Sequence, residues 1–156
     1  MTALLTLLLL ATTTAAPAKE VRTDWMRPDA FHLKIGMSRM QVMSTLDAWS
    51  PKKGKTEDEV IVDYSDDKSM TLEFRNERLH SVRFELFVLL PLVRKAFDEE
   101  RATLLHDRGE PPKATKSILI YDNALPNVMV VVTDDPKSAQ GKQGLGVLAV
   151  RYYDPR

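Results

Sequence analysis

Three histidines, His32, His80 and His106, are the first side chains to weigh for chemistry. A zinc site needs ligands a helical turn apart or flanked by cysteines. These three lie in separate stretches, and the chain contains no cysteine. No G-x-S-x-G elbow presents a nucleophilic serine. The acid pairs Asp66-Asp67 and Asp134-Asp135 stand beside Ser, Lys or Pro, where a short carboxylate bonds the backbone of its own turn. Glu99, Glu100 and Arg101 read as the solvated face of a helix. The sequence therefore predicts no catalytic residue, no metal ligand and no cofactor. What remains is aromatic: Trp49, Tyr121, Tyr152 and Tyr153 are the candidate partner-binding residues, because such side chains anchor protein interfaces.

The elements that must position them follow from spacing. Gly36-Met37 precedes Ser38, and Gln41 stands three residues on, an S-x-x-Q capping box that opens a helix. Met40, Met43 and Leu46, with Val42 beside them, predict its apolar face. "EVIVDY", "MTLEF" and "LHSVRFEL" then alternate as strands separated by "SDDK" and "RNER", with His80, Val82, Phe84 and Leu86 on the dry side. Pro91 opens a second helix whose buried stripe is Val93, Phe97, Leu104 and Leu105. Gly109 and Pro111-Pro112 end it. Three further strands follow, "SILIYD", "NVMVVVT" and "GVLAVRYY", the last two joined by the aperiodic and hence mobile loop "DDPKSAQGKQG". "VMVVV" is apolar on both faces, and Leu119, Tyr121, Val147 and Tyr153 are placed opposite the helix. The two readings are a covered central strand and an exposed patch that binds a partner.

The order helix, three strands, helix, three strands predicts an α+β fold of two αβββ repeats, an antiparallel sheet with helices packed on one face. It leaves open whether there are two small sheets or one of six strands. Residues 1–18 are an expected signal peptide, apolar from Ala3 to Ala11 and cleaved after Ala18. Residues 19–34 form a lead-in that Trp25 and Phe31 pin to the core, 35–88 the first repeat and 89–156 the second. The apolar run is short of the ~20 residues of a spanning helix, so the expectation is a periplasmic or secreted protein with no transmembrane anchor. Without cysteine there is no lipid anchor either. Lys+Arg and Asp+Glu both number 22, a balance that excludes nucleic acid as a partner.

"IGMSRMQVMSTL", then a tyrosine-ended strand, "LEF" and "LHSVRF", resembles the SmpA/OmlA (BamE-like) family of outer-membrane assembly lipoproteins. Gly36, Met37, Ser38, Gln41, Val42, Leu46, Tyr64, Leu72, Phe74 and Val82 carry the likeness. Asp47 stands where the family has glycine and tolerates a left-handed cap. Doubled, the layout is similar to the β-lactamase-inhibitory proteins. The resemblance implies a soluble, exported, non-enzymatic module that binds another protein of the cell envelope. The alternative is a periplasmic small-ligand carrier or envelope enzyme with its pocket between sheet and helices.

Overall fold

A computed structural model describes residues 21–156; the predicted signal peptide lies outside them. Helix α1 (Arg39–Leu46) begins at the capping box. The Gln41 N–H donates to Ser38 Oγ at 3.3 Å, and the Ser38 N–H donates back to Gln41 Oε1 at 3.1 Å. Gly36 turns the chain into it at φ 93°, while its N–H donates to the Leu79 carbonyl at 2.7 Å. Met37 is half-buried against the core. The buried side chains of α1 are Val42 and Leu46, a turn apart, with Met43 packed partly buried beside them. Met40 is 81% exposed, not part of the apolar face: it stands two residues before Val42, about 200° around the helix. Asp47 is right-handed, and the left-handed residue comes at Ser50, after a 3-10 turn over Asp47–Trp49.

The described residues form one antiparallel sheet of eight strands: β1 (Lys52–Lys53), β2 (Glu59–Ser65), β3 (Lys68–Arg75), β4 (Arg78–Leu89), β5 (Lys113–Ala114), β6 (Ile118–Tyr121), β7 (Asn127–Thr133) and β8 (Leu145–Tyr153). Their order is β1-β2-β3-β4-β8-β7-β6-β5, so the last strand of each half lies beside the other in one sheet, of eight strands rather than the expected six because the two-residue β1 and β5 extend its edges. The β3–β4 turn places Asn76 and Glu77 at φ 50° and 58°, the left-handed pair that suits a two-residue hairpin.

Buried side chains follow the register across one face. Leu72 lies beside Val82, Val82 beside Tyr152 and Tyr152 beside Val128. We call this the inner face. A bulge in β4 interrupts the expected alternation: Glu73 faces Ser81, Phe74 faces Leu79, and His80 is the extra residue. Leu79, not His80, is therefore the fully buried one. Helix α2 (Leu90–Arg108) opens with Pro91 in its first turn and packs over β4, β7 and β8. It buries Val93, Ala96, Phe97, Glu100 and Leu104, whereas Leu105 is 42% exposed. Gly146 of β8 lets α2 approach, since a Cβ there would meet Val93 at 2.7 Å.

The lead-in is a strap across the core, with Met26, Phe31 and Leu33 buried. Trp25 stacks on Tyr64 at 5.8 Å between ring centroids, and Phe31 stacks on Phe84 at 5.8 Å. Each fully buried aromatic contributes about 1.5–3 kcal/mol of burial free energy. The loop after β7 is internally bonded rather than featureless: the Ser138 N–H donates to Asp135 O at 3.0 Å, and the Leu145 N–H to Gln140 O at 3.0 Å. It also docks on α2, accepting the Leu90 N–H at the Gly144 carbonyl.

Candidate functional site

Two clusters stand out, one under α2 and one on the opposite side of the sheet. Under α2, Glu100 is fully enclosed, where a solvated side chain was expected. Its Oε1 accepts from Arg27 Nη1 of the strap at 2.5 Å, and the same nitrogen donates to the Tyr152 hydroxyl at 2.9 Å. Burial pushes the Glu100 carboxyl above the usual carboxylate range, against the opposing pull of Arg27 and Thr23. Burial likewise drives the Tyr152 phenol well above its ordinary value. A charge held this far from water needs its partner, so this cluster is a clamp fastening the strap to α2 and β8. A substrate has no route to a carboxylate with no exposed surface.

The outer face divides along the middle of the sheet. On β2, β3 and β4 the outward residues include Asp63, Ser69, Thr71, Glu73, Arg83 and Glu85. Beyond β4 the chemistry changes. Glu85 faces Ala149, Ala149 faces Val131, and Val131 faces Ile118. One row along, Arg151 faces Met129, and Met129 faces Ile120. Met129, Val131, Val147 and Ala149 are all partly exposed, and with Glu73, Arg83, Thr133 and Arg151 they line a concavity of about 220 Å³. Arg151 is held at the boundary: it donates to Glu73 at 2.5 Å and to Ser81 Oγ at 2.8 Å, and lies 5.4 Å from the Tyr153 ring centroid. Arg83 pairs with Glu85 at 2.5 Å.

The four aromatic candidates are not brought together. Tyr121 is wholly enclosed on the inner face, the side opposite to that expected, and Leu119 lies with it. The reason is register: both flank Val130 and Val128, which point under α2. Tyr152 is also buried and belongs to the clamp. Tyr121 is fully enclosed, and Tyr152 keeps only a small exposed edge. Trp49 is 40% exposed at the rim of the aromatic cluster, 4.8 Å from the Tyr64 ring. Tyr153 alone of the four is on the outer face.

Asp67 and Asp135 bond within their own turns, as expected, whereas Asp134 reaches an arginine of α2. Ser65 Oγ donates to Asp67 at 2.6 Å, the Lys137 N–H donates to Asp135 at 2.9 Å, and Arg94 donates to Asp134 at 2.5 Å. That last bond holds the Asp134 carboxyl below the usual carboxylate range. No three His, Cys, Asp or Glu side chains among the described residues come together as a metal site would require.

The spacing along α2 marks Glu100 as an inward residue. Val93, Phe97, Glu100 and Leu104 recur at spacings of four, three and four, so the acid lies on the apolar stripe. Arg27, 73 residues earlier, has no such signal.

Compared with protein-family models, curated proteins and solved structures, the chain matches none. Fold and site together define an α+β protein whose eight-stranded antiparallel sheet leaves an apolar half-face partly open.

Proposed function

We propose that this chain is an exported, non-enzymatic protein-binding module of the cell envelope, of BamE-like or inhibitor-like type, that grips its partner with the apolar half of its outer sheet face. The observation that carries this reading is the cluster of Met129, Val131, Val147 and Ala149, partly exposed beside arginines already neutralised by ion pairs. Tyr153 on the same face and Trp49 at the strap rim are the aromatic contacts retained. The element order is consistent with a duplicated unit, because each helix precedes four strands, the first of them only two residues long, and the halves meet through their last strands. The uncharged leader supports export. No described helix is long and apolar enough to cross a membrane.

The small-ligand reading has one observation of its own. A cleft of about 420 Å³ opens where the strap, the end of α2 and the end of β8 meet, lined in part by Leu33, Ile35, Arg108, Leu125 and Tyr152. It lies at the rim, while Leu46, Phe74, Phe84 and Phe97 fill the space between sheet and helices. Protein binding is therefore preferred.

The test is affinity capture from envelope extract with the native chain and with Val131→Asp. A partner recovered reproducibly by the native chain and lost with Val131→Asp, at an unchanged unfolding midpoint, supports the proposal. Equal recovery by both chains, or by neither, overturns it.

A further inference from the structure

Resting on that reading of the outer face, we infer that its occupant is an amphipathic α-helix of the partner, laid across β8, β7 and β6. β7 is apolar at each position from Val128 to Val132. Continuous apolar runs belong to strands covered on both sides. On the inner side the cover is α2, which packs over β7 and β8. On the outer side the same two strands present Met129, Val131, Val147 and Ala149 partly exposed, continued by Ile118 and Ile120 of β6.

The size of the patch selects the occupant. Strands lie about 4.8 Å apart and residues on one face repeat about every 6.7 Å, so three strands by three rows give roughly 300 Å². A stable pair of copies needs about 800 Å² from each. One helix, about 10–12 Å across with its side chains, matches the width of three strands. A partner strand added to an edge is the poorer fit, because the edges carry two-residue strands bearing Lys52, Lys53 and Lys113.

Relief and charge agree with a helix. Ala149 is the short side chain in the concavity of about 220 Å³, with Val131 of β7 on one flank, Glu85 of β4 on the other, and Val147 and Arg151 on either side of it along β8. That dent takes one large apolar side chain from a helical stripe. Arg151 is neutralised by Glu73 and Arg83 by Glu85, so covering the face strands no unpaired charge. The partner's helix therefore carries an aliphatic or aromatic stripe with no strong excess of either sign.

The experiment places a photo-crosslinking side chain, one at a time, at Ile118, Val131 and Val147 of the full chain in the producing cell, with exposed Lys95 of α2 as control. The expected result is an adduct from each of the three and none from Lys95, with the partner's linked residues three or four apart in its sequence. Linked residues two apart indicate a strand and overturn the helix while leaving the binding surface intact. Adducts to a second copy of this chain, or to its own residues 1–20, also overturn it. Absence of any adduct overturns the binding reading itself. As a second measurement, Ala149→Trp fills the dent. Capture is expected to fall at least tenfold with the unfolding midpoint retained, and unchanged capture counts against the helix.

Discussion

Two arginine–carboxylate pairs of the same length lie on opposite faces of one sheet. Arg27 meets Glu100 at 2.5 Å beneath α2, with side chains 16% and 0% exposed. Arg151 meets Glu73 at 2.5 Å on the outer face, with side chains 33% and 41% exposed. Distance is the same, so desolvation is what separates them. In the first pair each partner has surrendered most of its water and depends on the other. In the second, solvent screens the attraction and the bond is worth little to the fold. The buried pair fastens the strap, whereas the outer one keeps a charged side chain tidy at the border of an apolar surface. Identical chemistry thus fastens the strap on one side of the sheet and, on the other, only holds an arginine in place at a solvated border.

The strongest way to break this comparison is to remove Glu100. Glu100→Ala leaves Arg27 without its carboxylate and is expected to cost about 3–5 kcal/mol in urea unfolding. A loss under 1 kcal/mol would mean that the clamp does not hold the strap. The double variant Arg27→Met, Glu100→Leu is expected to recover most of that loss, because similar apolar volume replaces the pair without leaving a lone charge.

Acidity sharpens the contrast next. Burial raises the Glu100 carboxyl in the folded chain, so the folded state holds this proton more tightly than the unfolded state. Its contribution to stability is therefore full below the ordinary glutamate range and is lost as pH rises through the raised value. Measured against Glu100→Gln, the native chain should lose relative stability on going upward from about pH 4.5 and then level off. The opposite slope would show that Arg27, not burial, governs the group.

Trp49→Ala, at the rim between strap and sheet, is expected to cost about 1 kcal/mol through its ring contacts with Phe31 and Tyr64. Differential scanning calorimetry reads this as a small drop in Tm. Smallest of all is the outer pair: Glu73→Gln is expected to cost about 0.2–1 kcal/mol, and less in high salt. A larger, salt-insensitive loss would erase the difference between the faces.

Much of the architecture was written in short-range pattern. The capping box at Ser38 and Gln41, the alternation through Met70, Leu72 and Phe74, and Pro91 opening α2 need only neighbours within a turn or a pleat. All three are found in place. Departures arise where one extra residue or one helical step changes a facing. The bulge at His80 hands the buried position to Leu79, and Met40 lies two steps from the stripe that Val42 and Leu46 define.

By itself the sequence determined the two helices, six of the eight strands, and the apolar character of β7, because periodicity, caps and turn residues act over a few positions. The two-residue β1 and β5 are too short to carry a pattern. Only the tertiary structure decided that β4 and β8 join the halves into one sheet, that Arg27 reaches Glu100, and that Tyr121 is enclosed while Val131 stays partly exposed. These outcomes depend on contacts between residues far apart in the chain, whose pairing is set by which surfaces lose water together, and no local pattern encodes that.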